Sequence, residues 1–65
     1  MRAIEIYLNH FDGNQTKAAK ALGKEQGHVW HWLNKSKDMP MKYVPKAASI
    51  IGRKPSELMP GVDWF

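Results

Sequence analysis

Gln15-Thr16-Lys17-Ala18-Ala19-Lys20-Ala21-Leu22-Gly23-Lys24-Glu25-Gln26-Gly27-His28-Val29-Trp30-His31-Trp32-Leu33 carries the spacing that two short helices need in order to cross at close range. The first helix must offer a small side chain at the crossing, which Ala19 supplies. The chain between the helices must turn left-handed, which Gly23 permits because it has no Cβ to clash. Apolar residues then return at Val29, Trp32 and Leu33. They line one face of a second helix and are expected to pack on Ala18, Ala19 and Leu22. The pattern reads as a helix-turn-helix over residues 15–33, with Ala19, Gly23, Val29 and Trp32 as its core positions, and it points to DNA.

Outward from the motif, Ile4, Tyr7, Leu8 and Phe11 mark an amphipathic helix over the first ten or so residues, closed by Asp12-Gly13. Asn14 is placed to cap the next helix, which runs to about Leu22, and a third is expected from near Glu25 to about Asn34. Lys35-Ser36-Lys37-Asp38-Met39-Pro40 is polar and proline-terminated, so it reads as a loop on which two lysines can move. Pro45 suits the first turn of a fourth helix, whose stripe of Val44, Ala47, Ala48 and Ile51 ends at Gly52. Pro55 repeats the device for a single turn through Leu58, after which Pro60-Gly61 stops regular structure. Five helices and no alternating strand pattern give an all-α domain over residues 1–59, with residues 60–65 as a tail.

Gln15, Ala19, Gly23, Val29 and Trp32 occupy positions at which the chain resembles the lambdoid phage Cro-type repressors and the related YdaS-type helix-turn-helix proteins of prophages. Met39-Pro40-Met41-Lys42-Tyr43-Val44-Pro45, Pro55-Ser56-Glu57-Leu58-Met59-Pro60 and Val62-Asp63-Trp64 look like the rest of such a domain. The resemblance implies a compact, lambda-repressor-like five-helix fold and a transcriptional repressor that occupies an operator and excludes polymerase. It also implies a phosphate contact for Gln15, which the start of a helix favours independently. The chain departs from longer Cro relatives in having no evident C-terminal β-hairpin.

Sixty-five residues allow one small core, and a domain of this size buries only about 60% of the surface its unfolded chain exposes. The absence of cysteine rules out disulfides and cysteine-based zinc sites as support. No apolar run reaches signal-peptide length or the ~20 residues of a membrane span, so a soluble, unprocessed, cytoplasmic protein is expected. The formal net charge is +4, but residues 17–54 alone carry nine lysines and arginines against Glu25 and Asp38. That concentration suits a phosphate-facing surface as well as it suits ordinary solvated helix faces.

A recognition helix enters the major groove with its N-terminal residues toward the bases. With Val29, Trp32 and Leu33 inward, the face offered to DNA is Gln26, Gly27, Trp30 and His31. Gln26 leads, because an amide pairs in bidentate fashion with N6 and N7 of adenine. Gly27 allows close approach or sits in a loose first turn, His31 can meet a base or phosphate, and Trp30 can meet a sugar or a thymine methyl or is equally a partly buried surface aromatic. Trp30 and Trp32 cannot share one helical face, so one of them is expected to be the more exposed. Lys17, Lys35, Lys37 and Lys42 are the candidate phosphate contacts. The His28/His31 pair lacks the further ligands of a metal site, and no catalytic constellation is evident, so neither cofactor, metal nor enzymatic activity is expected.

One such helix reads only a few base pairs, so a homodimer on an inverted-repeat operator is expected, with half-sites about 34 Å apart. Val62, Trp64 and Phe65 can contribute to that dimer or cover the chain's own core. A rival reading is an antitoxin-like interaction module that binds another protein through this tail and DNA for autoregulation. Duplex RNA is disfavoured because its major groove is too deep and narrow for a helix.

Overall fold

The computed structural model describes residues 2–64. Its elements follow in the order α1 (Ala3–Asn9), α2 (Gln15–Ala21), α3 (Gln26–Asn34), a 3-10 turn (Met41–Tyr43), α4 (Val44–Ile51) and α5 (Pro55–Leu58). Among the described residues the architecture is therefore all-helical and helix-turn-helix-like, within a globule measuring 28 × 23 × 18 Å. No helix is long and apolar enough to cross a membrane.

Local signals set most boundaries. The Asn14 side chain accepts from the Lys17 amide at 3.0 Å and so satisfies an orphan donor in the first turn of α2. At the other end Gly23 adopts φ +72°, its amide donates to the Lys20 carbonyl, and the Lys24 amide donates to the Ala19 carbonyl at 2.9 Å. These paired bonds are the left-handed closure that lets α2 stop and α3 start within four residues. Glu25 is itself the N-cap residue of α3 rather than part of it. Pro45 and Pro55 both lie in first turns, where a missing amide hydrogen is not needed.

The core lies where α1 spans the other helices. Ala3, Ile4 and Tyr7 of α1, Ala18 and Ala19 of α2, Val29 of α3, Val44, Ala47 and Ala48 of α4, and Leu58 of α5 are all buried. The run of alanines explains how so few large side chains fill the interior, since small residues let the helix axes approach. Tyr7 crosses this core and donates its hydroxyl to the Ala18 carbonyl at 2.6 Å.

Burial pushes the Tyr7 phenol up to about 12 from an ordinary value of 10. A raised pKa means that the unfolded chain loses the proton first, so this stabilisation is complete below pH 10 and is lost as pH rises through about 12. Tyr7→Phe is expected to lower stability at neutral pH by about 1 kcal/mol and to lose less between about pH 8 and about pH 11 than the parent does. Urea midpoints of both proteins at the two pH values check this, with lysine titration common to both.

The fold corrects three expectations. Phe11 lies beyond the end of α1 and is only half-buried, edge-on to Tyr7 at 5.2 Å, so α1 is shorter than its apolar stripe implied. Leu33 is half-buried rather than fully inward, because it sits at the edge of the stripe formed by Val29 and Trp32. The 35–40 loop is tied down rather than free. Asp38 Oδ2 accepts from the Ala3 amide at 2.9 Å, and Oδ1 accepts from the Ile4 and Met39 amides, each at 2.8 Å. Arg2 Nη1 donates to the Leu33 carbonyl at 3.0 Å and the Lys37 carbonyl at 3.3 Å, and Met39 of the same loop is buried in the core.

The tail returns to its own domain. Trp64 Nε1 donates to the Met59 carbonyl at 2.9 Å, and the half-buried indole packs on the core. Trp64 thus covers part of this chain's own interior. Val62 is half-buried, and Phe65 lies outside the described residues.

Candidate functional site

Helical periodicity divides α3 into two faces. Val29 and Trp32 point into the core, Trp32 being only 5% exposed, whereas Trp30 is 44% exposed, as two tryptophans one residue apart require. Gln26, Gly27, Trp30 and His31 are all exposed and form one surface with Asn34, which the one-turn recurrence from Gly27 through Trp30 also predicts. The Asn34 side-chain amide donates to the Trp30 carbonyl at 3.0 Å, and Lys35 Nζ lies 5.9 Å from the Trp30 ring centroid.

The N-termini of α2 and α3 meet at this face. Gln26 Nε2 donates to Gln15 Oε1, joining the first residues of both helices. The bond uses one hydrogen of the Gln26 amide, and its second hydrogen and its carbonyl oxygen stay available to a third partner. Gln15 keeps its own amide hydrogens. Gly27 has open space around it: a Cβ built there meets nothing within 4 Å, so packing within the chain does not require glycine.

His28 and His31 engage local partners. His28 Nδ1 lies 3.4 Å from the Glu25 amide, and His31 Nδ1 lies 3.1 Å from Ser36 Oγ. Among the described residues no three His, Cys, Asp or Glu side chains gather in a way that could hold a metal ion.

Among the described residues the lysines of the basic stretch are largely unpaired. Lys17, Lys20, Lys35, Lys37 and Lys42 are exposed, and the ion pairs among the described residues are Arg2–Glu5 at 2.9 Å and Arg53–Glu57 at 3.5 Å. The motif lysines therefore have no carboxylate partner there. Of the two acids in the basic stretch, Asp38 spends its oxygens on backbone amides, and Glu25 is exposed. Lys46 is directed elsewhere, its ammonium 3.4 Å from the Leu22 carbonyl at the C-terminal end of α2.

Two residues outside the sequence expectation, Lys24 and Tyr43, gather beside Trp32 of α3. Tyr43 packs on Trp32 with ring centroids 5.4 Å apart, and the ammonium groups of Lys24 and Lys42 lie 4.9 and 5.2 Å from the Tyr43 centroid. The Lys24 ammonium beside its hydroxyl is the main cause that holds the Tyr43 phenol below its ordinary value. Nothing in local spacing announces a Lys24–Tyr43 contact, which depends on how the turn before α3 meets the turn before α4.

The cleft of about 430 Å³ lined by Ile6, Asn9, His10, Arg53 and Glu57 offers less chemistry. Its guanidinium is already paired with Glu57.

No protein-family profile matches the chain, and neither a curated protein nor a solved structure matches it at a significant level.

Proposed function

We propose that this chain is a sequence-specific double-stranded DNA-binding regulator that places α3 in the major groove. The observation that carries the reading is the Gln15–Gln26 pair at the meeting point of two helix N-termini, beside an exposed α3 face and lysines without carboxylate partners. In this arrangement Gln15 holds a phosphate through its free amide hydrogens. Gln26, already oriented by Gln15, uses its second hydrogen and its oxygen on N7 and N6 of one adenine. Gly27 lets the duplex approach, and Trp30 and His31 meet the next bases or their sugars. Lys17, Lys35, Lys37 and Lys42 supply salt-dependent affinity with little base discrimination.

The resemblance to Cro-type and YdaS-type proteins makes operator occlusion, and hence repression in a bacterial cytoplasm, the regulatory outcome that fits this reading. Two copies on an inverted repeat give the base-pair count that one helix lacks. The antitoxin-like reading needs a free apolar tail, and the docking of Trp64 on Met59 weighs against it.

Gln26→Ala and Lys37→Ala separate the two roles. On the duplex selected by the parent chain, Gln26→Ala is expected to lose about 1–3 kcal/mol and to relax preference at one or two base pairs, with little loss on random DNA. Lys37→Ala is expected to weaken binding alike on both and to lower the salt slope by about 1. Fluorescence-anisotropy titrations across a salt series check both, and equal losses of Gln26→Ala on selected and random duplexes would remove Gln26 from the base-reading role.

A further inference from the structure

We propose that Lys24, Tyr43 and Lys42 form a single clamp for one DNA phosphodiester, on the flank of α3 opposite the Gln15–Gln26 pair. The inference rests on the DNA-binding reading above and gives it a second backbone anchor, on the other wall of the groove.

Three observations converge. First, two ammonium groups from separate elements, the turn before α3 and the 3-10 turn before α4, approach the same ring at 4.9 and 5.2 Å. Like charges gathered on one neutral group repel, and neither has a carboxylate partner among the described residues. An anion placed between them turns that repulsion into attraction.

Second, the ring is a fixed platform. Tyr43 is half-buried, packs against the buried Trp32 with an interplanar angle of 34°, and donates its amide to the Pro40 carbonyl at 3.0 Å. Flexible lysine stems resting on such a surface lose less freedom when they close on a ligand. The Tyr43 hydroxyl, with the Lys24 ammonium beside it, adds a hydrogen-bond donor to the cluster.

Third, the position on α3 is right for a groove wall. Residues two apart on a helix point about 160° away from each other. Gln26 carries the Gln15 contact, so His28 marks the opposite flank, and its ring lies 6.2 Å from that of Trp32, on which Tyr43 packs. A helix seated in the major groove has one phosphate wall on each side, and the two anchors then serve one wall each.

The test is the salt dependence of binding to a fluorescein-labelled duplex of about 20 base pairs and mixed sequence, for which log K falls by about 0.9 per log unit of salt for each phosphate neutralised. A shared clamp predicts that Lys24→Ala and Lys42→Ala each change the slope by well under 1 and that the double variant lowers it by about 1. Lys54→Ala, which removes the same charge at the start of α5, is expected to leave the slope unchanged. Tyr43→Phe keeps the platform and is expected to bind about three- to tenfold more weakly at the parent slope. Far-UV spectra of every variant should match the parent.

A double variant with the parent slope overturns the clamp and leaves the DNA reading standing. Losses of about 1 for each single variant and about 2 for the double mean two separate contacts and overturn it likewise. If the parent chain fails to bind the duplex even at about 50 mM salt, the DNA reading and the clamp fall together.

Discussion

Trp32→Ala is expected to leave much of the chain unfolded at physiological temperature. Trp32 is 5% exposed and belongs to the core, with Tyr43 packed on one side and His28 on another. Truncating a buried tryptophan to alanine costs about 3–5 kcal/mol, because transfer energy is lost and the surroundings collapse only partly into the cavity. A domain of this length has roughly 3–10 kcal/mol in total. Trp32→Phe keeps an aromatic ring beneath Tyr43 and is expected to lose about half as much. Thermal melts followed by far-UV circular dichroism check both, and a melting temperature unchanged in Trp32→Ala would place the core elsewhere.

Asp38→Ala is the second large effect, expected at about 2 kcal/mol of lost stability or roughly 8–16 °C in melting temperature. One carboxylate satisfies the amides of Ala3, Ile4 and Met39, so it caps α1 and fixes the loop after α3 in a single stroke. Its negative charge also complements the positive end of α1. Asp38→Asn keeps the Oδ1 acceptor geometry for Ile4 and Met39 but loses the charge and the Ala3 bond, and about half the effect is expected. Urea unfolding of the two variants orders them, and equal stability of Asp38→Ala and the parent would deny the cap. The Arg2 bonds to the Leu33 and Lys37 carbonyls hold the same loop independently, so it should retain some order when Asp38 is removed.

These two residues show what a sequence discloses and what it hides. Trp32 was legible because it recurs three positions after Val29, and a helical period is a local property. Asn14, Gly23, Pro45 and Pro55 were legible for the same reason: each acts on amides or dihedrals within a few residues of itself. Asp38 acts 34 and 35 positions away in the chain, and no spacing rule connects a loop aspartate with the start of the first helix. Met39 looked like part of a polar loop because its neighbours are charged, and it is buried only because Arg2 and Asp38 draw that loop onto α1.

The candidate site divides along the same line. The exposed face of α3 follows from periodicity, and so does the contrast between Trp30 and Trp32. The Gln15–Gln26 bond and the Lys24–Tyr43–Lys42 cluster do not, since both depend on how one element's end meets another's. Charge counting missed a further point. Asp38 belongs formally to the basic stretch, yet its oxygens face backbone amides, so the surface formed by the motif lysines is less opposed by acid than composition suggests.

The central claim is that α3 reads base sequence, and the most direct measurement is selection of bound duplexes from a random-sequence pool by the parent chain at physiological salt. The account predicts enrichment of an inverted repeat whose half-site centres lie about 34 Å apart, with adenine preference at one or two positions of each half-site that disappears in the Gln26→Ala selection. Retention of the pool with no enriched sequence would contradict it and leave a basic surface that holds DNA without reading it.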